Sequence, residues 1–443
     1  MRGRRLIFIV AAVFAFAGCS DNPSKDFDIL IKNGRIVDGT GNPSFQGDVG
    51  IVGDTIAEIG DLTGRSGLET IDAAGLVISP GFIDVHTHAD GDLGRPGSNA
   101  NLNYLNQGVT TVVTGNCGSG TFEIAKIKAE WEARGIGTNA VHLVGFGDVR
   151  RAVMGTEPRE PEAEELDQML SILRQAMKEG AWGMSTGLEY VPDRYATTEE
   201  IIDAAKVVAE FGGVYASHQR NEFDRVPEST RETVRIAEEV GVLAITSHLK
   251  VCRKNAWGMM AEAVDVINDA RERGVRIVAD MYPYHFASGG PILPITRNAG
   301  WAPFHLPNDM EPFKELRARL SEPNLPDEDE KALRKEYVDE LEKALSDDSK
   351  RQQIRQSVLE GSPHRPSSVA LAGWDSYLVV VGNENAHLIG EILSDIAEEA
   401  GRDPFDVVAE ARHSRTGPAR RLRRHVGERH ASSDGARMAD VLQ

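Results

Sequence analysis

The chain has 443 residues, a formal net charge of −19 and 41% hydrophobic residues, so it can form one large domain or two smaller ones with a sizeable core. This composition excludes global disorder, and the acidic balance argues against a dedicated nucleic-acid binder. Three cysteines exclude a disulfide scaffold, and no apolar run of about 18 residues follows the N-terminal segment, which excludes a multispanning membrane protein.

The first 26 residues have the composition of an export signal followed by a tether. Three arginines near the start form a basic region, and residues 6–17 form an apolar core that is too short to span a membrane as a stable helix. Residues 20–26 are polar. We therefore expect residues 1–26 to be a signal peptide and tether, and the protein to be exported.

The end of this signal, residues 16–19 (FAGC), resembles a bacterial lipobox. The resemblance implies cleavage before Cys19 and a lipid anchor on that residue, which would be the protein's one attachment to a membrane. Ser20 stands where an inner-membrane retention signal would have Asp, so we expect an outer-membrane lipoprotein that faces the periplasm. Ordinary secretion with an incidental Cys19 is the alternative.

Residues 27–78 predict a small β unit. Strand-like runs occur at 28–31, 34–38 and 48–52, and Gly and Asn separate them. Short strands bounded by such turn residues are typical of antiparallel sheets. We expect this segment to form a small β-sandwich unit.

From residue 79 onward the pattern changes to apolar runs that each precede a longer amphipathic stretch. The apolar runs are 109–113, 140–144, 182–185, 214–216, 243–246 and 275–279. This alternation predicts an α/β fold built from βα units, and its length favours a (β/α)8 TIM-type barrel over a doubly wound sheet. We assign residues 79–434 to the barrel, with a solvent-exposed helical insertion at 305–360, where charged residues accompany Leu and Ala at helical spacing.

Two histidines, His86 and His88, end the apolar run at the start of the predicted barrel. Residues two apart on a strand share a face, so both imidazoles would approach one metal ion from the same side. Taken alone, a His-x-His spacing is a weak signal.

Cys117, His218 and His248 also follow apolar runs of the predicted barrel. Cys117 lies 31 residues after His86, and His248 lies 30 residues after His218. A βα unit takes about 30 residues, so each side chain falls at the carboxyl end of a strand, where barrel enzymes assemble their sites. A packed thiol or a hydrogen-bonded core imidazole would explain any one of them, but together they predict a metal site.

The segment 79–88 (SPGFIDVHTH) resembles the first-strand motif of the amidohydrolase superfamily. Further segments, in chain order, resemble the N-acyl-D-amino-acid deacylases (D-aminoacylases) of that superfamily. They are 115–118 (GNCG), 185–188 (STGL), 217–218 (SH), 247–250 (SHLK) and 282–284 (YPY). The resemblance covers residues 27–300 and 367–406, and it implies a barrel enzyme that uses a metal to hydrolyse linear amides.

The resemblance also implies how the metal is held. In that family a Cys after the second strand replaces the carboxylated Lys that bridges two metals in hydantoinases and dihydroorotases, and the predicted fourth strand, 181–187, indeed carries no Lys. Cys117, His218 and His248 would hold one tight Zn²⁺. His86 and His88 would form a second, weaker position beside Cys117. Thiolate and imidazole ligands suit zinc better than magnesium or calcium.

The same resemblance implies the substrate site. Lys250, Tyr282 and Ser288 would bind the α-carboxylate of an N-acyl-D-amino acid. A carboxylate needs a cation and a hydrogen-bond donor to fix its orientation. A surface Lys after a strand is the alternative for Lys250.

The family's catalytic Asp is matched by Asp434, in Ser-Ser-Asp-Gly, and its role would be general base and then general acid. The approach to it, residues 411–430, is rich in Arg and lacks an apolar strand, and a chance turn at 432–435 is the alternative. Family members continue beyond this point, so we expect residues 435–443 to be a truncated tail that leaves the small β unit incomplete.

Three functional hypotheses follow. The first is a zinc-dependent hydrolase of N-acyl-D-amino acids. The second is a cyclic-amide hydrolase of the dihydroorotase or hydantoinase type, against which the missing fourth-strand Lys counts. The third is a catalytically impaired, truncated lipoprotein, which the unusual C-terminal sequence favours.

Overall fold

The structure is a computed structural model that describes residues 25–252, 256–283, 310–320, 327–362, 365–366, 369, 373–377 and 390–410. The chain divides into two compact units, Met1–Phe82 and Ile83–Gln443. Among the described residues, no helix has both the length and the apolar character needed to cross a membrane.

The first unit contains one five-stranded sheet among its described residues. Its strands are β1 (Phe27–Ile36), β2 (Phe45–Val52), β3 (Thr55–Gly60), β4 (Gly67–Asp72) and β5 (Val77–Ile78). β1 is central: it pairs antiparallel with β2 and parallel with both β4 and β5, while β3 pairs antiparallel with β2. The sheet is therefore mixed, and the expectation of purely antiparallel strands is wrong. The described residues form a single sheet, and the sandwich that the sequence predicted stays a prediction.

The first two strand-like runs of the sequence belong to the single strand β1. Asn33 and Gly34, which the sequence suggested as a turn, lie inside it, and the pairing with β2 shifts between Ile31 and Gly34. Asn33 has a φ of 64°, in the left-handed region that Asn tolerates better than most residues. Such a residue produces a bulge in a continuous strand as readily as it produces a turn.

The second unit contains a seven-stranded sheet. Its strands are β6 (Phe82–Asp84), β7 (Val109–Thr114), β8 (Asn139–Gly145), β9 (Gly183–Gly187), β10 (Val214–His218), β11 (Leu243–Thr246) and β12 (Ile277–Ala279). They lie side by side in chain order, and each pairing from β7 to β12 is parallel. Parallel strands in sequential order, joined by helices, form the wall of a TIM-type barrel, as the sequence predicted.

Helices follow most of these strands. They are α1 (Asp90–Leu93), α2 (Leu102–Leu105), α3 (Ile124–Arg134), α4 (Phe146–Met154), α5 (Ala163–Lys178), α6 (Thr198–Glu210), α7 (Val226–Val240) and α8 (Met259–Glu272), with a 3-10 turn at Asp193–Tyr195. The apolar faces of α4–α8 pack with the strands in one buried core that includes Leu173, Ile201 and Tyr215. This burial of helix faces on a parallel sheet keeps the strand ends in place.

The charged segment that the sequence marked as an exposed insertion contains helices with a buried side. Its described helices are α9 (Phe313–Leu320), α10 (Asp327–Ser346) and α11 (Asp348–Glu360). After the insertion, the described elements are short strands at Gly361–Ser362 and Arg365–Pro366, a 3-10 turn at Trp374–Ser376, and the helices α12 (Leu393–Ala400) and α13 (Pro404–Glu410). Phe313, Tyr337, Leu341, Ile354 and Phe405 belong to one hydrophobic cluster there. The described part of the segment 305–360 is therefore helical, as expected, with mostly exposed charges, but its apolar positions are buried in a cluster of their own and are not solvated.

Candidate metal centre

The sulfur-bearing and imidazole side chains predicted to bind metal come together at the carboxyl ends of the barrel strands. His218 is the last residue of β10, and His248 follows β11 by two residues. Cys117 lies three residues after β7, and His86 lies two residues after β6. Carboxyl ends of parallel strands share one edge of a sheet, which explains how residues so distant in sequence meet.

The distances within this cluster are short. Cys117 Sγ lies 3.5 Å from His86 Nε2 and 3.5 Å from His248 Nε2. His218 Nδ1 lies 3.0 Å from the same His248 Nε2. One nitrogen of each imidazole therefore faces a common centre around the thiol, and His86, Cys117 and His248 offer ligand atoms that all lie within 4.8 Å of one another.

His88 lies at the border of this cluster. Its ring centroid is 5.6 Å from that of His86, with the planes nearly perpendicular, and its side chain is exposed. β6 ends at Asp84, so His86 and His88 lie on the loop after the strand and not on one strand face as the sequence analysis assumed. Both imidazoles nevertheless lie close enough to Cys117 to stabilise its thiolate.

The backbone at two of the cluster residues is unusual. Cys117 and His248 have positive φ values of 58° and 36°. Residues with a Cβ rarely adopt such a φ, and those that do are concentrated at functional sites.

The glycines beside Cys117 allow its loop to pack tightly. A Cβ on Gly115 would lie 1.9 Å from the carbonyl oxygen of Leu143, and one on Gly118 would lie 2.2 Å from Asp193 Oδ2. Both glycines also have positive φ values, of 75° and 73°. Glycine is therefore needed at positions 115 and 118, because a side chain there would clash with its neighbours and would disfavour the backbone conformation that holds Cys117 in place.

Polar side chains fix this loop further. The Ser185 hydroxyl accepts a hydrogen bond from Gly118 N–H at 3.0 Å and donates one to the Gly115 carbonyl at 2.5 Å. The Asp90 carboxylate accepts from Gly115 N–H at 2.7 Å, and the Asp148 carboxylate accepts from Gly120 N–H at 2.9 Å. The thiol is thus held on a preorganised loop.

The electrostatics of the cluster favour a thiolate. Burial opposes ionisation of Cys117, but hydrogen bonds from the surrounding histidines outweigh it and hold the pKa of the thiol far below its usual range. Burial lowers the pKa of His86 and His218, but nearby anions outweigh it: Asp280 and Cys117 raise that of His86 to about 9, and Glu222, Cys117 and Glu189 raise that of His218 to about 10. A cation is therefore favoured beside this sulfur.

Three carboxylates that the sequence analysis did not assign stand behind the three imidazoles. Glu189 Oε2 lies 3.2 Å from His218 Nε2, Glu222 Oε1 lies 2.8 Å from His248 Nδ1, and Asp280 Oδ2 lies 3.5 Å from His86 Nδ1. In each pair the nitrogen concerned is the one that faces away from Cys117. A carboxylate behind the outer nitrogen of an imidazole is the usual surrounding of a metal-binding histidine.

These acids carry a sequence signal that could have been used. Asp280 directly follows β12 and Glu189 follows β9 by two residues, so the strand-end rule that selected the histidines applies to both. Glu222 lies four residues beyond His218, and its position depends on the turn that precedes α7.

The predicted substrate residues fall partly within the described structure. Lys250 Nζ is ion-paired with Glu222 at 2.6 Å and lies 5.7 Å above the ring centre of Tyr282. Burial lowers the pKa of Lys250, but the charge of Glu222 outweighs it and raises that pKa above its usual value. Ser288, Asp434 and Cys19 lie outside the described residues.

The residues present fit a divalent zinc ion. One thiol and three imidazoles match the ligands that zinc takes in proteins. Among the described residues, the buried atoms His86 Nδ1, Glu222 Oε1 and Asp280 Oδ2 make no hydrogen bond of good geometry, although each lies close to a partner atom. A cation on the inner nitrogens would leave the proton of each imidazole on its outer nitrogen, on the side where the carboxylate lies.

Comparisons with known proteins show which family and which relatives the chain is similar to. The model of the amidohydrolase family matches residues 69–327. A D-aminoacylase from Alcaligenes xylosoxydans xylosoxydans is 36% identical over 288 residues, which are 60% of this chain and 59% of that protein. An N-acyl-D-glutamate deacylase from the same organism is 35% identical over 284 residues, 59% of this chain and 57% of that protein. The chain thus covers less than two thirds of the length of either relative.

Solved structures of D-aminoacylase and of an N-acyl-D-glutamate deacylase are also similar to this chain. A crystal structure of D-aminoacylase superposes with a TM-score of 0.62 at 28% identity, covering 87% of this chain and 70% of that one. The N-acyl-D-glutamate deacylase of Bordetella bronchiseptica, solved with zinc and a phosphonate inhibitor, superposes with a TM-score of 0.61 at 26% identity, covering 87% of this chain and 69% of that one.

Proposed function

Since the chain belongs to the amidohydrolase family, we propose that it hydrolyses the amide bond of N-acyl-D-amino acids in a zinc-dependent reaction that releases a carboxylate and a D-amino acid. The observation that carries the proposal is the donor set around Cys117, in which a thiol stands between His86 and His248 at 3.5 Å. The identity of 36% to a D-aminoacylase supports the same substrate class.

The side chains have distinct roles in this proposal. Cys117, His218 and His248 would hold a tight zinc ion, with His86 and His88 beside Cys117 for a second, weaker one. Zinc at this site would supply Lewis-acid chemistry that polarises an amide carbonyl and acidifies water. The carboxylates Glu189, Glu222 and Asp280 would keep the proton on the outer nitrogen of each imidazole, so that the inner nitrogen stays a donor.

The substrate would be oriented by its α-carboxylate. The Lys250 ammonium and the Tyr282 hydroxyl provide the cation and the hydrogen-bond donor that such a group needs. Asp434 would accept a proton from the attacking water and then donate one to the leaving amine, a role that rests on the family resemblance alone. A cyclic-amide hydrolase remains less well supported, since β9 consists of Gly-Met-Ser-Thr-Gly and offers no Lys to bridge two metals.

Two measurements on the purified protein test the proposal. We expect about one tightly bound zinc per chain, and release of free amino acid from N-acetyl-D-amino acids but not from their L-enantiomers. Zinc with no release from either enantiomer would support the impaired-lipoprotein hypothesis, and release only from cyclic amides would support the alternative hydrolase.

Cys117→Ala tests the ligand set. We expect this variant to lose its zinc, because the thiolate is the only anionic ligand proposed for the tight site. Cys252→Ala is the matched control and should keep its zinc. Among the described residues, two groups offer ligand atoms close enough for one metal ion, and Cys252 is in neither: His86, Cys117 and His248, and His218, Glu222 and His248. Stoichiometric zinc in Cys117→Ala, measured by elemental analysis, would contradict the assignment.

We also propose that the protein is exported and anchored through a lipid on Cys19, facing the periplasm from the outer membrane. Support comes from the lipobox-like residues 16–19. Metabolic labelling with palmitate should mark the wild-type protein and not Cys19→Ser, and the label should sediment with outer-membrane vesicles. Equal labelling of both proteins would contradict the anchor.

A further inference from the structure

We propose that Glu222 is a positioning residue that holds the metal-ligand imidazole of His248 and the ammonium of Lys250 in one fixed arrangement. The inference rests on the proposed function and adds a second partner, Lys250, to a carboxylate that the proposed function places behind His248. Its two oxygens serve the two partners separately: Oε1 lies 2.8 Å from His248 Nδ1 and Oε2 lies 2.6 Å from Lys250 Nζ.

The backbone around Glu222 is fixed on both sides. Its carbonyl accepts a hydrogen bond from Cys252 N–H at 2.8 Å, which ties the loop after β10 to the loop after β11. The Asn221 side-chain oxygen accepts hydrogen bonds from the N–H groups of Phe223, Asp224 and Arg225 at 2.9, 3.0 and 3.0 Å, which shapes the turn before α7. The Glu222 side chain is only 6% exposed, so it has little freedom to move away.

Proton placement explains why this position requires a carboxylate. His248 Nε2 faces Cys117 and His218, so a cation there leaves the proton on Nδ1. Lys250 Nζ lies 3.1 Å from that same Nδ1, so two hydrogen-bond donors would face each other. A carboxylate suits both neighbours because it offers a separate oxygen to each, Oε1 to the imidazole and Oε2 to the ammonium.

Glu189 gives a matched comparison. It stands behind a different imidazole, with Oε2 at 3.2 Å from His218 Nε2, and its side chain is similarly buried, at 9% exposed. Removing its charge should therefore affect metal binding in the same way as removing that of Glu222. The pairing with Lys250 is what distinguishes Glu222.

Glu222→Gln is the test, because an amide has one acceptor oxygen where a carboxylate has two. We expect zinc affinity, measured by competition with a chelator, to fall about 10–100-fold, as losses of such supporting groups do. We also expect the KM for an N-acetyl-D-amino acid to rise by more than about tenfold relative to the KM for its neutral carboxamide, because Lys250 is no longer held for the carboxylate. A role limited to folding would raise both KM values together.

Control variants separate the two effects. Glu189→Gln should lose zinc affinity but keep the wild-type ratio of KM values at saturating zinc. Lys250→Met should change the ratio and keep the zinc affinity. Glu238→Gln, which removes an exposed carboxylate paired with Arg273, should change neither quantity.

The double variant Glu222→Gln/Lys250→Met tests whether the loss of zinc affinity can be reversed. It also provides the measurement if Glu222→Gln alone does not fold. With the ammonium removed, the single amide oxygen is free to accept from His248 Nδ1, so zinc affinity should return towards that of Lys250→Met. A double variant as weak as Glu222→Gln would overturn the proposal, and so would wild-type zinc affinity and an unchanged KM ratio in Glu222→Gln.

Failure of the proposed function is distinguishable from failure of this inference. If the wild-type protein hydrolyses no N-acetyl-D-amino acid, the proposed function fails. Glu222 is then judged by zinc affinity: a loss in Glu222→Gln that Lys250→Met rescues supports the positioning role, and equal affinities in the wild type, Glu222→Gln and Glu238→Gln overturn it.

Discussion

At the scale of single residues, the two described cysteines show how surroundings decide thiol chemistry. Burial, together with the negative charges of Glu222 and Glu189, raises the pKa of the Cys252 thiol to about 12. Cys117 is also largely buried, but hydrogen bonds from the histidines around it outweigh burial and hold its pKa far below the usual value. One thiol is therefore an inert packed group, whereas the other is a thiolate in a cationic setting and is ready to bind a metal.

The difference between these thiols predicts how the zinc-free protein reacts with iodoacetamide. The thiolate is the reactive form, and an ordinary thiol, with a pKa of about 8.5, reacts faster as the pH rises from 6 to 9. Because the pKa of Cys117 is lowered, its alkylation rate should be nearly constant over this range, and Cys252 should stay unmodified.

Peptide mapping by mass spectrometry measures both rates in one sample. Zinc added before the reagent is the control, since it should protect Cys117. A rate at Cys117 that climbs steeply with pH would show that the histidines do not stabilise its thiolate.

At the scale of elements, the loop after β7 has the tightest geometric requirements. Gly118 has a φ of 73° and lies where a Cβ would come within 2.2 Å of Asp193 Oδ2. Asp193 is fully buried, and burial raises its pKa to about 7. The carboxylate cannot retreat easily, so the loop and the turn after β9 constrain each other.

Gly118→Ala should therefore destabilise the protein and displace Cys117. Gly135→Ala is the matched control, because Gly135 has nearly the same φ, 69°, and open space around its missing Cβ. The control should lose about 1–2 kcal/mol from the backbone conformation alone, and Gly118→Ala should lose more because of the added clash.

Urea unfolding of the zinc-free proteins gives the two free energies, and a chelator titration gives the zinc affinity, which should fall in Gly118→Ala alone. Equal losses of stability in the two variants would show that the contact with Asp193 is unimportant.

At the scale of the whole molecule, the described residues of the second unit form separate hydrophobic clusters. The largest lies between the barrel strands and α4–α8, and the next largest joins α9, α10, α11 and α13 around Phe313 and Phe405. The second cluster contains no residue of the metal centre. Its helices carry many charges, so their packing depends on a few large apolar side chains.

Phe405→Ala should consequently reduce the free energy of unfolding by about 3–5 kcal/mol, the usual cost of truncating a fully buried Phe. Phe211→Ala removes the same atoms from a side chain that is 42% exposed and should cost less than about 1 kcal/mol. Zinc content should stay at the wild-type level in both. Urea denaturation followed by circular dichroism checks the stabilities, and equal effects of the two substitutions would contradict a separate core at Phe405.

The sequence by itself determined the barrel topology, because each βα unit produces its own local pattern of a short apolar run and an amphipathic stretch. It also indicated which residues come together around Cys117, because the strand-end rule needs only the position of each residue along its own strand. The same local reasoning placed Asn33–Gly34 in a turn, although the pairing with β2 makes these residues a bulge within β1.

Only the tertiary structure decided the surroundings of these ligands. Glu189 and Asp280 lie near strand ends, which the sequence shows, but which imidazole each of Glu189, Glu222 and Asp280 contacts depends on how separate strands meet. The helices α9, α10, α11 and α13 are a second example. Their sequences are rich in charged residues, which is typical of an exposed segment, and only the packing of one helix on another shows that each has a buried apolar side. Secondary structure follows from patterns within one segment, whereas the pairing of charges depends on where separate segments meet.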